Sequence, residues 1–248
     1  MRKKLSFVLA SVLVASLSFY SFASASEKEV LPASGGNNPD GYVYLNGAPI
    51  KENTVIYANE ENQEELVEKY GLEKPSPDAK LVSIQIVNNE DDSIELPKEE
   101  SKSINPQAIF GYRIVKGPTQ SIDGWTEIAR AKYFCNKPST QQCKGIEITV
   151  SANESVSVEV QTSLSIGVQE VVAAEFGYSL GQSIGVSTSV MVPMDIQGGK
   201  TGIAVGYPIY NSTFCEVYEK GILNDKYLGG ATFLKPKPSS IAVTSWTT

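Results

Sequence analysis

The sequence predicts a mainly β protein: an antiparallel β-sandwich or elongated sheet with a long amphipathic hairpin, preceded by a small α/β module. Three observations predict it. Residues 146–192 alternate apolar and hydroxylic side chains with period two, as extended strands with one apolar face do. Shorter β-like runs follow at 202–210 and 214–218. Helical periodicity is carried by a stretch near the N-terminus, at 60–70, where Asn59 can cap and Gly71 can stop the helix.

Composition narrows the chemistry. The chain has 248 residues, 21 basic and 28 acidic, a net charge of −7 and no histidine. The missing histidine excludes a Ser-His-Asp triad, a Cys-His pair and a histidine zinc site. The acidic balance argues against nucleic acid, because phosphate binding needs clustered Lys and Arg. No cofactor and no metal are expected. Glu147, Glu159 and Glu175 share the polar face of the alternating segment, but no pair of them is set among the apolar groups that carboxylate-pair catalysis requires. The chain is therefore read as a non-enzyme.

Arg2, Lys3 and Lys4 precede an apolar run over 5–22, and Ala23-Ser24-Ala25 supplies the small-residue pattern of a cleavage site. Residues 1–25 are read as a signal peptide cleaved after Ala25, and the protein as secreted; an uncleaved anchor is the rival. Residues 26–87 form a small acidic strand–helix–strand module, with strands at 42–45 and 54–57 and the Asn46-Gly47 turn signal between them. Leu66, Val67 and Tyr70 make one face of its helix. The strand at 80–87 is apolar on both faces, which predicts burial. Residues 88–105, polar and proline-bounded, are read as a linker. Residues 26–105 carry 7 Lys against 17 Asp and Glu, a net −10, whereas 106–248 balance at 11 and 11. An antiparallel β domain is expected over 106–248.

Export makes the cysteines legible. Cys135 and Cys143 bracket a polar loop and are the expected disulfide, with Cys215 as an alternative partner. Gly198-Gly199-Lys200-Thr201 lacks the leading glycine of a phosphate loop and reads as a turn.

The long alternating segment must turn. Asn153-Glu154 and residues 169–175 are the two candidate turns, and the second would give a hairpin with arms at 155–168 and 176–192. Val171, Val172, Ala173 and Ala174 would form its apolar tip, in place of the Asn-Gly or Asp-Gly a water-facing turn prefers. No Lys or Arg occurs between Lys144 and Lys200, although lysine commonly guards exposed strands. The arms SVSVEVQTSLSIGV and FGYSLGQSIGVSTSVMV, with the following PMDIQGGKTG turn, resemble the membrane-inserting region of aerolysin-type and ETX/MTX2-type β-pore-forming proteins. The resemblance spans 146–205 as pattern rather than identity; the same pattern is similar to small exported Gram-positive proteins of unknown role. It implies a hairpin with its polar side to a lumen, its apolar side to lipid, and 171–174 as membrane-tip residues. Two roles follow. The first is a non-catalytic binding or surface-interaction protein with an unknown protein, glycan or membrane target. The second is a pore-former, for which alone a homo-oligomer is expected.

Overall fold

The computed structural model describes residues 41–89, 111–124 and 126–248. The signal peptide and nearly all of the linker lie outside them. Eleven strands and two helices are described, so the mainly β expectation holds.

Asn46 and Gly47 adopt positive φ (49° and 79°), the geometry of a tight two-residue hairpin turn. The turn joins β1 (Tyr42–Leu45) to β2 (Ala48–Lys51), not to the strand expected at 54–57. Pro49 hid β2 in the sequence; it is tolerated because β2 is an edge strand. The strand at 54–57 is present as β3 (Val55–Tyr57), and the helix as α1 (Gln63–Lys69). The Asn59 side chain accepts the backbone N–H groups of Glu61 and Asn62, each at 2.9 Å, ahead of α1. Then comes β4 (Lys80–Asn88), buried on both faces as expected.

Two long strands organise the rest: β10 (Thr201–Glu219) and β11 (Lys226–Thr247), paired antiparallel. Each takes two partners in succession along its outer edge. β10 pairs with β6 (Ala129–Phe134) up to Gly206 and with β5 (Tyr112–Asp123) from Ile209. β11 pairs with β8 (Glu159–Gln161) up to Leu234 and with β4 from Ser240. Pro208, Pro236 and Pro238 fall in the gaps where partners change. A residue without an N–H costs the ladder nothing there. The runs expected separately at 202–210 and 214–218 are thus one bulged strand.

The sheet order is β2-β1-β5-β10-β11-β4-β3, antiparallel except for the parallel β1–β5 pair. This corrects the expected separation of an acidic module from a β domain. β4 pairs with the last strand of the chain and β1 with β5, so the two charge-distinct halves share one sheet. Charge composition registers surface, and strand partners as distant in the chain as Asn88 and Ser240 leave no trace in it.

Side chains alternate across β10 and β11. Ile203, Val205, Ala242 and Trp246 face the cluster under α1 and β1, which includes Val43, Ile50 and Tyr70. Ala204, Ile241 and Val243 face the opposite cluster, which is covered by a second, two-stranded sheet. Trp246 is fully buried and its indole N–H donates to Thr244 Oγ1 at 2.8 Å.

Candidate functional site

The second sheet holds the alternating segment. Its strands are β7 (Gln142–Ser157) and β9 (Ser183–Gln197), paired only with each other. Their register is symmetric about residue 170: Ile146 opposes Met194, Val150 opposes Val190, and Ser157 opposes Ser183. Ile148, Val150, Ala152, Val186, Val190 and Val192 point inward onto β10, β11 and β4. Thr149, Ser151, Ser155, Ser187 and Ser189 point outward. Inward-facing Thr188 is satisfied by the Asn89 amide, which donates to Oγ1 at 2.7 Å. The ribbon is held on the main sheet by side-chain packing and a few polar contacts, and not by a strand ladder.

The disulfide between Cys135 and Cys143, Cα atoms 5.9 Å apart, ties the end of β6 to the start of β7. Cys215 is the free, buried cysteine, and burial pushes its thiol up to about 11. The Gly198-Gly199-Lys200 turn joins β9 to β10, with Gly199 at positive φ (76°). It packs on the disulfide loop: a Cβ at Gly198 would sit 2.0 Å from the Pro138 carbonyl oxygen.

The arms expected at 155–168 and 176–192 are displaced: the ribbon ends at Ser157 and Ser183. Residues 158–182 leave it, although Val158 N–H still donates to the Gln182 carbonyl at 2.8 Å. They form β8 on the edge of β11 and then α2 (Ile166–Glu175). The expected tip residues, Val171, Val172, Ala173 and Ala174, therefore lie in a helix and not at an exposed turn. Val172 and Ala173 are fully buried against Val217, Ala231 and Phe233. The physical reason is burial: a free hairpin would leave these side chains in water, whereas folding back on β10 and β11 covers them.

The C-terminal end of α2 is latched by side chains. Lys116 on β5 donates from Nζ to the Glu175 carbonyl at 2.9 Å and lies 3.3 Å from its carboxylate. The same ammonium sits 4.4 Å from the Phe176 ring centroid. Phe176 stacks on Phe233 at 4.0 Å between centroids, and Tyr178 packs on the same ring at 5.9 Å. Sequence reading had no signal for Lys116 or Phe233, because both come from strands distant in the chain. Glu147 and Glu159 are exposed on β7 and β8, and Glu175 is taken by Lys116, so the three carboxylates stand on three different elements.

No protein-family profile matches the sequence, and no curated protein matches it. Among solved structures, the chain is similar to a putative pore-forming toxin from Bacteroides vulgatus ATCC 8482, at 11% identity and a TM-score of 0.24. The likeness covers 56% of this chain and spans about half, 54%, of the other.

Proposed function

We propose that the chain is a secreted, non-catalytic β-pore-forming protein seen in its resting form, with residues 158–182 as the segment that inserts. One observation carries this reading. Strand alternation continues in the sequence through residues 158–182, yet those residues are folded as a short strand, a loop and a helix. Apolar residues of α2 are spread around its axis and not gathered on one stripe, so its sequence is not that of an amphipathic helix.

Carrying the observed β7–β9 register onward tests the idea on paper. Val160 would oppose Leu180, Leu164 would oppose Phe176, Ile166 would oppose Ala174, and Val168 would oppose Val172. All these pairs fall on one face. The other face would carry Glu159, Gln161, Ser163 and Ser165 against Gly181, Ser179, Gly177 and Glu175. Glu170 would stand at the apex, so the membrane-leading end is 169–171. Each arm would gain 158–168 or 172–182, matching the ~9–11 residues a tilted transmembrane strand needs. The even positions that carry the inward face of β7 and β9 thus stay apolar along most of both arms, with Gln182 the polar break opposite Val158.

A single hairpin leaves unpaired backbone at both edges, so several copies must close a barrel. The free edges of β7 and β9 supply the pairing sites. The experiment is dye release from vesicles that the mature protein is first shown to bind. Release is expected, together with an oligomer stable enough to isolate in detergent. Bound protein that releases no dye would contradict the reading and return the chain to a surface-binding role.

A further inference from the structure

The β10–β11 hairpin ends in the loop 220–225, beyond the pair Glu219–Lys226. Ile222 and Leu223 at its tip are the most exposed large apolar side chains among the described residues, at 104% and 92%. The loop is nonetheless built. Arg113 Nε donates to Asp225 Oδ2 at 2.6 Å, and the guanidinium lies 4.2 Å from the Tyr218 ring centroid. Tyr218 packs edge-on against Tyr227 at 5.4 Å. Lys220 N–H donates to the Gly111 carbonyl at 2.6 Å. A Cβ at Gly221 would sit 2.1 Å from the Asn224 carbonyl oxygen, so the turn closes tightly on itself. A fixed pedestal thus presents two aliphatic side chains to the outside.

The geometry points to this tip as a docking site for the surface of a phospholipid bilayer. Ile222 and Leu223 would enter the headgroup–acyl boundary. Lys220 and Lys226 flank them, with stems long enough to keep each ammonium among phosphates. Tyr218 and Tyr227 stand behind, where amphipathic rings favour the interface. Arg113, Lys220 and Lys226 balance Glu216, Glu219 and Asp225, so the attachment rests on the two aliphatic side chains and not on net charge. A convex two-residue tip buries too little against a second copy to hold a dimer, whereas a bilayer receives it without a preformed pocket.

Position strengthens the inference. Val217, Leu228 and Ala231, at the base of this same hairpin, belong to the cluster that holds α2. Gly229 lies against Leu164 of the inserting segment. Docking by the tip therefore sets residues 158–182 beside the lipid. The docking step is a binding event and stands apart from insertion.

The test is co-sedimentation of the full mature chain with mixed phosphatidylcholine–phosphatidylglycerol vesicles. An Ile222→Ser/Leu223→Ser double variant should lose at least about tenfold in vesicle affinity, with its melting temperature unchanged. Leu223→Trp should keep binding and shift its fluorescence to the blue on vesicles. Wild-type protein that does not sediment, a double variant that sediments like wild type, or a tryptophan that stays in water would each overturn the proposal. A lipid-independent self-association abolished by the serines would assign the tip to a second copy instead. Binding without dye release leaves the docking intact and counts against the pore reading alone.

Discussion

Val172 has no exposed surface and is packed in α2 among Val158, Val160, Val217 and Phe233. Replacing it by Asp puts an unpaired carboxylate where no donor waits. We expect Val172→Asp to destabilise the resting fold by on the order of 3 kcal/mol, read as a lower thermal midpoint. Cys215 and Tyr210 make a second residue-scale prediction. Burial raises the thiol to about 11 from 9.0 and the phenol to about 12 from 10.0. Both groups hold their protons more tightly folded than unfolded. Their contribution is therefore intact below about pH 9 and is lost as pH rises through 11 to 12. Alkaline titration should show stability falling across that window, and Cys215→Ala should flatten the early part. A thiol reagent at pH 8 should leave native Cys215 unmodified.

Among the elements, the disulfide and the glycine turn share one corner. Opening the Cys135–Cys143 bridge frees a short loop, which costs roughly 2–3 kcal/mol by loop-closure entropy. Denaturant midpoints of Cys135→Ser/Cys143→Ser against wild type should register it. Gly198→Ala should be destabilising too, because its Cβ meets the Pro138 backbone and not a movable side chain. Legibility in the sequence follows locality at this scale. β1, α1, β4, the β9–β10 turn and the disulfide were readable because each rests on neighbours within a few residues. β2 was missed because Pro49 reads as a breaker unless the strand is known to be an edge. Residues 169–175 read as a turn because their flanks alternate with period two, a pattern that the observed short strand, loop and helix do not follow. Lys116 and Phe233 were invisible, since only the sheet brings them to Glu175 and Phe176.

On the scale of the whole molecule, one sheet unites the acidic N-terminal residues with the neutral remainder. Cleavage between Lys98 and Lys102 would not release residues 42–88 without breaking the β4–β11 ladder. The ribbon has the opposite character: side-chain packing on Ala204, Ile241 and Val243 and the Cys135–Cys143 bridge hold it, and no strand ladder joins it to β10 or β11. If the ribbon lengthens into a barrel, Glu159 and Glu175 ring its lumen. The pore should then prefer cations, and Glu159→Gln/Glu175→Gln should weaken that preference in planar-bilayer reversal potentials.

The central claim is that residues 158–182 exchange a strand–loop–helix for a hairpin centred on Glu170. The most direct measurement places single cysteines, each carrying an environment-sensitive dye, at successive positions from 158 to 182 in a Cys215→Ala background. Emission is then compared in solution and on vesicles. The account predicts a period of two on vesicles, with even positions in lipid, odd positions in water and the phase symmetric about residue 170. A helical period near 3.6, or emission unchanged from solution in vesicle-bound protein, would contradict it.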